Sequence, residues 1–385
     1  MAPILEIADL KKRAKRRVPK MFFDYADSGS WTESTYRVNE TDFQDITLRQ
    51  RVAVDMTDRS LATQMIGQDV AMPVALSPVG FCGMQWADGE ILAAQAAEEF
   101  GVPFTLSTMS ICSIEDVAEH TRKPFWFQLY VMRDRDFINN LIDRAKAAGC
   151  SALVLTLDLQ IMGQRHKDLR NGLSAPPRFT PKHVWQVGTR PQWLMAMAKT
   201  PRRTFRNVVG HAKGVKDLSS LGAWTAEQFD PTLSWDDVTW IKERFGGPVI
   251  LKGILDPEDA RRSIDCGVDA IIVSNHGGRQ LDSASSSIRM LPDIVEAVGD
   301  QVEVHIDGGI RSGQDILKAM CLGAKGTYIG RPYLYGLGTA GKAGVEKMFE
   351  ILRTELDTTM ALCGEKRVTD LSRNNLRTVF GEKLN

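Results

Sequence analysis

The chain has 385 residues, 43% of them hydrophobic and 25% charged, with 48 basic side chains against 48 acidic ones. Zero net charge excludes a molecule built as a whole around nucleic acid, and the balance of apolar and charged residues is that of an ordinary globular protein. No stretch is apolar for long enough to span a bilayer, and six scattered cysteines without a CxxC pair read as buried thiols, so neither a disulfide framework nor a metal is expected.

In chain order, residues 1–71 precede the first strand as an amino-terminal helical extension. Its start, Met1-Ala2-Pro3-Ile4-Leu5-Glu6-Ile7, lacks the basic then apolar order of a signal peptide, which implies a cytosolic chain. Lys11-Lys12-Arg13-Ala14-Lys15-Arg16-Arg17 reads as a solvated helix face ended by Pro19. Short runs rich in β-branched and aromatic residues then recur at 73–77, 104–107, 125–131, 152–158, 249–253, 270–275, 302–307 and 326–330. Helical periodicity fills most of the gaps, over 89–100, 114–120, 136–148, 236–245, 257–266, 288–298 and 314–322. Ser113 before Ile114-Glu115-Asp116, and Asp256-Pro257-Glu258-Asp259, mark helix starts. Strand and helix alternating eight times, with right-handed crossovers, predict an α/β fold: a (β/α)8 TIM barrel made from 72–164 and 234–365, within a single domain spanning 1–385.

Such a barrel takes about 250 residues, and the excess beyond the extension falls in a long basic insertion after strand four, 165–233. From Pro176 to Gly222, Arg178, Lys182, Arg190, Lys199, Arg202, Arg203, Arg206, Lys213 and Lys216 stand against Asp217 alone, with Trp185, Trp193, Phe205 and the apolar Leu194-Met195-Ala196-Met197 interleaved. Near anionic lipid each such cation contributes roughly 1 kcal/mol. The insertion is therefore expected to form a lid facing an anionic membrane surface, dispensable for the chemistry itself; no nucleic-acid motif accompanies it.

In a barrel of this class the site sits at the strand carboxyl ends, and here those ends are polar. They read Ser77-Pro78-Val79-Gly80, Ser107-Thr108-Met109, Gln128-Leu129-Tyr130, Thr156-Leu157-Asp158, Lys252-Gly253 and Ser274-Asn275-His276-Gly277-Gly278-Arg279-Gln280-Leu281-Asp282. His276 is a base suited to neutral pH and Arg279 a planar fork for a carboxylate. Asp307-Gly308-Gly309-Ile310-Arg311 and Gly330-Arg331 end strands seven and eight and read as a phosphate cradle. Ser107, Gln128 and Thr156 offer amide and hydroxyl groups to a flat heterocycle such as a flavin, with Lys252 as a fixed cation beside its N1 edge. A lysine at a strand end opposite a phosphate site also fits a Schiff-base aldolase, and a non-catalytic membrane-binding barrel is a further reading.

The His276 cluster, with Phe127-Gln128-Leu129-Tyr130, Thr156-Leu157-Asp158, Leu251-Lys252-Gly253 and Asp307-Gly308-Gly309-Ile310-Arg311, resembles the FMN-dependent α-hydroxy-acid dehydrogenase and oxidase family, and within it the bacterial respiratory members that oxidise L-lactate. The resemblance covers nearly the whole chain. It implies FMN as cofactor, held by Pro78, Val79, Gly80, Ser107, Gln128, Thr156, Lys252, Ser274, Asp307, Gly308, Gly309, Arg311, Gly330 and Arg331. It implies His276 as catalytic base paired with Asp158, with Tyr130 and Lys252 assisting, and Tyr25, Tyr130, Arg165 and Arg279 around the substrate carboxylate. Lactate is the first choice of L-2-hydroxy acid, with mandelate or another longer acid as the alternative. Gly80, where oxidases of the family carry alanine, implies an electron acceptor other than oxygen. Joined to the insertion, it implies a quinone and a peripheral enzyme on the cytoplasmic face of the inner membrane; the family also implies a homo-tetramer.

Overall fold

Eight parallel strands carry the architecture: β1 (Val74–Leu76), β2 (Thr105–Ser107), β3 (Trp126–Tyr130), β4 (Ala152–Thr156), β5 (Val249–Ile254), β6 (Ala270–Val273), β7 (Glu303–Asp307) and β8 (Gly326–Ile329). The computed structural model describes residues 3–172, 180–212, 215 and 228–384. Each strand pairs with its sequence neighbour, β8 pairs with β1, and a parallel bridge between Leu76 and Phe104 joins β1 to β2. Each expected strand forms within a few residues of its place, and the result is the (β/α)8 barrel.

The strands read as near-continuous apolar runs because both faces are covered. Outward residues such as Leu153, Leu251, Ile271 and Ile306 meet the ring of helices. Ala75, Trp126, Val154, Ile250, Ile272 and Tyr328 point inward to a separate inner core, which Met65 and Val70 of the hairpin 63–70 close at the amino-terminal end. An inward position near the carboxyl end of each strand breaks that pattern: Ser77, Ser107, Gln128, Thr156, Lys252, Ser274 and Asp307, with Gly330, make one mostly polar layer at the mouth. Mostly apolar layers, with Thr105 and His305 among them, fill the cylinder below it, so the polar layer is a floor on which a ligand can rest.

Three short helices, α1 (Ile7–Arg17), α2 (Lys20–Ala26) and α3 (Ser34–Thr41), run from the barrel wall to its mouth. The expected solvated face of α1 is only part of its role. Lys11 Nζ reaches Asp27 Oδ1 at 2.9 Å, where the hydroxyls of Tyr36 and Tyr335 also donate at 2.8 Å each, and Arg17 donates to the Thr339 carbonyl. Burial pushes the Asp27 carboxyl up, but Lys11 and the two phenols outweigh it and hold it at about 2.

The barrel helices used below are α4 (Gly89–Phe100), α5 (Ile114–Ala118) and, after the others of the ring, the helix Arg331–Ala340 that follows β8. All six cysteines are buried and free. Among the described residues no helix is long and apolar enough to cross a membrane.

The insertion is more than an excursion. Its helices 181–188 and 191–199 lie against α2: Trp193 stacks on Phe22 at 5.5 Å and donates to the Met84 carbonyl at 2.8 Å. Arg202 pairs with Asp88 and Asp116, Arg206 with Asp116, and Arg203 donates to the Thr200 and Ala198 carbonyls. Part of the expected basic patch is thus turned onto the barrel. Arg178, Lys213, Lys216 and Asp217 lie outside the described residues, as does the Lys182 side chain. The expectation that the insertion is dispensable for chemistry also changes, because Phe205 lines the central cavity and Asn207 donates to Ser107 O and Ser110 Oγ.

Candidate active site

A cavity of about 660 Å³ opens over the polar floor. Tyr25, Pro78, Val79, Gly80, Ser107, Tyr130, Arg165, Lys252, His276, Arg279, Asp307, Gly330 and Arg331, all singled out in the sequence, line it. Gln128, Thr156, Ser274 and Asp158 stand behind that wall and are tied to it by hydrogen bonds. Gly308, Gly309 and Arg311 are not brought to the cavity. The two glycines back onto Asn39, and the Arg311 guanidinium is engaged by Glu40 at 2.7 Å.

The base comes from the loop after β6. His276 Nδ1 lies 2.8 Å from Asp158 Oδ1, both side chains being nearly buried. Asp158 has room there because Gly253, next to last in β5, holds φ 101°; a Cβ on it would sit 2.7 Å from the Asp158 Cγ. His276 itself holds φ 58°, a left-handed backbone that costs a non-glycine residue about 1 kcal/mol or more and persists only where the surroundings over-determine it. They do: Asn275 and Asn39 exchange amide hydrogen bonds at 2.8 and 2.9 Å, and Asp282 accepts from Thr32, Ser34 and Thr35. Gln280 donates to the carbonyls of Asp158 and Ile161.

Burial pushes the His276 imidazole below its ordinary value; Asp158 opposes this, while Lys252 and Arg165 add to it. The Asp158 carboxyl is pushed up by burial but pulled further down by His276 and Lys252, and stays ionised. An ionised Asp158 accepts the Nδ1 proton, which leaves the Nε2 lone pair as the proton acceptor.

Beside this pair, Arg279 lies over the Tyr25 ring at 4.7 Å and donates to the carbonyls of Tyr25 and Ser28. Arg165 leans on it from the other side, with Nε 3.4 Å from the Arg279 carbonyl. Burial and the Arg165 charge both pull the Arg279 guanidinium down, and its buried Nη2 has no hydrogen-bond partner. Two crowded guanidinium groups with an idle N–H form a receptor for an anion. Tyr130 closes the pocket, its ring edge-on to Phe229 at 6.0 Å and its phenol pushed up by burial.

The floor matches a flavin's needs. Ser107 Oγ donates to Gln128 Oε1 at 3.1 Å and Gln128 Nε2 to Thr156 Oγ1 at 3.0 Å. Lys252 is 3% exposed, donates to Ser274 Oγ at 3.0 Å and stands 3.5 Å from Asp307 Oδ2. That is a fixed buried cation held among acceptors, which suits a charge partner and not the free amine a Schiff base requires. Gly80 lets the chain pass close to the floor; a Cβ there would lie 2.9 Å from the Met109 carbonyl. At the far end Gly330 and Arg331 present the start of the Arg331–Ala340 helix, the phosphate position of this fold.

Sequence reasoning missed several wall residues: Phe81 and Phe205, edge to face at 4.6 Å, Phe229, and Asp168. The first three come from loops without periodicity. Asp168 stands three residues after Arg165, a helical spacing that carries a signal only once the arginine is in view.

Comparison with known proteins agrees with this geometry. The chain is 45% identical to an L-lactate dehydrogenase of Actinobacillus pleuropneumoniae serotype 5b over 369 residues, 96% of this chain and 97% of that one. Among solved structures it is similar to a monotopic membrane protein, (S)-mandelate dehydrogenase, with a TM-score of 0.93, 34% identity and coverage of 98% of this chain and 100% of that one. A mandelate oxidase matches with a TM-score of 0.82 and 36% identity, over 98% of each chain. The model of the FMN-dependent dehydrogenase family matches residues 14–378. The chain belongs to the FMN-dependent dehydrogenase family, and FMN is its cofactor.

Proposed function

We propose that the protein oxidises L-lactate to pyruvate and passes the electrons to a membrane quinone. The observation that carries this reading is the His276–Asp158 pair at 2.8 Å beside Arg279 and Arg165 in one cavity. Bound FMN supplies the two-electron sink. Ser107, Gln128, Thr156, Ser274 and Lys252 would hold its ring and fix a positive charge at it, with Pro78, Val79 and Gly80 against its edge. Asp307, Gly330 and Arg331 would take the ribityl phosphate end, with Gly308, Gly309 and Arg311 supporting from behind.

Arg279 and Arg165 clamp the substrate carboxylate, and Tyr25 and Tyr130 hydrogen-bond its oxygens, so that the 2-carbon faces the floor. His276 Nε2 takes the proton that leaves the substrate, and Asp158 stabilises the resulting imidazolium. The same base serves whether the hydroxyl or the carbon gives up its proton first. Anaerobic mixing with a panel of 2-hydroxy acids tests the substrate: L-lactate should bleach the flavin at the lowest concentration, and failure of every acid to do so would reject the reading. The relative in Actinobacillus supports lactate. A second reading, a longer acid such as mandelate, is favoured by the apolar wall of Met109, Leu159, Met162, Phe205 and Phe229 and by the similarity to an (S)-mandelate dehydrogenase and a mandelate oxidase.

The insertion helices support a peripheral place on the inner membrane. They keep Trp193 and Met197 buried while Val184, Trp185, Leu194 and Met195 stand exposed, with Arg190 and Lys199 beside them. Exposed apolar residues rimmed by cations suit an anionic lipid surface, and the similarity to a monotopic membrane protein fits.

A further inference from the structure

Asp168 sits where the substrate's own carboxylate is expected. It lies on the helical turn His166–Arg170, lines the cavity, and its side chain is 11% exposed. Oδ2 is 3.9 Å from Arg279 Nη2, and neither Asp168 Oδ1 nor Arg279 Nη2 has a hydrogen-bond partner. The charged groups facing Asp168 are Arg279 from the loop after β6, Arg165 and Lys167 from its own segment, and Asp24 from α2. Lys167 is already engaged by Glu33 at 2.9 Å and by the Asp27 carbonyl, while Asp24 is held by Lys20 and by Asn171. Burial raises the Asp168 carboxyl in spite of both arginines.

A second carboxylate entering beside the same guanidinium meets this charge at short range in a poorly solvated pocket, and two carboxylates sharing a site do not both stay ionised cheaply. We propose that Asp168 is a built-in competitor for Arg279, and that a carboxylate ligand is taken up together with one proton, which binds to Asp168. The proposal rests on the reading of the site as a 2-hydroxy-acid pocket. Its balance is simple: ligand anion, one solvent proton and ionised Asp168 give bound anion and neutral Asp168, and the proton returns to solvent when the product anion leaves. The sign follows. Ligand binding raises the Asp168 pKa, so affinity is constant where Asp168 is already protonated. Affinity falls with rising pH, by up to about tenfold per pH unit, between the free and the bound pKa, and is constant again above both.

The test is calorimetric titration of oxidised, FMN-loaded protein with pyruvate, between pH 5 and 8, in buffers of different protonation enthalpy. Wild type should take up as much as one proton per pyruvate. The uptake should vanish in Asp168→Asn and persist in His276→Gln, which separates it from titration of the base. Difference infrared spectra of wild type should show a protonated carboxyl band appearing on binding, a readout that needs no variant. Pyruvate binding without proton uptake anywhere in that range, or uptake unchanged in Asp168→Asn, would overturn the proposal. If neither pyruvate nor any 2-hydroxy acid binds at all, the functional reading fails instead.

Discussion

Of the segments that bring an arginine to the mouth, the two that carry Arg279 and Arg165 are built in different ways. The loop 274–282, which carries Arg279, is laced to the amino-terminal extension over nearly its whole length, through Asn39, Ser30, Thr32, Ser34 and Thr35. The insertion, which begins with Arg165, is tied to the same extension only over its first turn, through Lys167 on Glu33 and Asn171 on Asp24, and beyond that at separate anchors: Trp193 on Phe22 and Met84, Arg202 and Arg206 on Asp116, and Asn207 under β2. Between those anchors it displays apolar side chains outward. Proton transfer tolerates errors of only tenths of an ångström, so the loop that carries its base is pinned by side-chain hydrogen bonds along its length. Contact with a soft surface needs only that apolar residues be presented, so a few attachment points suffice.

That contrast is sharpened first at the base. His276→Gln should lower kcat by about 10³- to 10⁴-fold with FMN retained, measured as flavin bleaching in stopped flow. Because burial holds His276 below its ordinary value, the acidic limb of the wild-type kcat/KM profile should lie below pH 6.5, with no loss of base as pH falls from 8 to 7. Next, Arg279→Lys should reduce kcat/KM by about 100-fold, since an ammonium cannot reproduce the fork. Arg165→Lys, whose guanidinium is held by longer contacts of 3.4 Å to the Arg279 carbonyl and to Gln280 Oε1, should cost less; equal losses would break the comparison.

The extension that carries this lacing is tested at Asp27, which ties Lys11 and Tyr36 of the extension to Tyr335. Its carboxyl lies at about 2 in the folded chain, so its contribution is full above the ordinary carboxylate pKa and disappears as pH falls through about 2. Asp27→Asn should cost about 2 kcal/mol in urea unfolding at pH 7, with the difference shrinking between pH 4 and pH 2. The smallest expected effect on catalysis comes from replacing Val184, Trp185, Leu194 and Met195 with serine. Flotation with anionic vesicles should be lost while lactate oxidation coupled to a soluble dye stays within about twofold. A fall in the dye assay would mean that the outer face also shapes the cavity.

Much of the barrel was legible in the sequence because its strands are buried on both faces and so read as apolar runs, each ending in a polar residue. Most mouth residues followed from that position alone. The phosphate end was harder to read: Gly308-Gly309 and Arg311 form a persuasive local signal, and the structure adds contacts from far along the chain that no local pattern shows, such as the Glu40–Arg311 pair 271 positions apart. Phe205 and Asp168 were hidden for a related reason. Their roles depend on where an insertion folds back, and no periodicity encodes that.

The hairpin at the foot of the barrel carries a kinetic consequence. Met65 fills the axis and the Ile66 N–H is tied to Glu303 Oε2 at 3.0 Å, so the foot is stoppered. With the foot closed among the described residues, acid and electron acceptor would both come in over the mouth, the keto acid departing before the oxidant approaches. Turnover should accordingly follow a ping-pong scheme, in which a large excess of the hydroxy acid slows reoxidation by crowding that mouth.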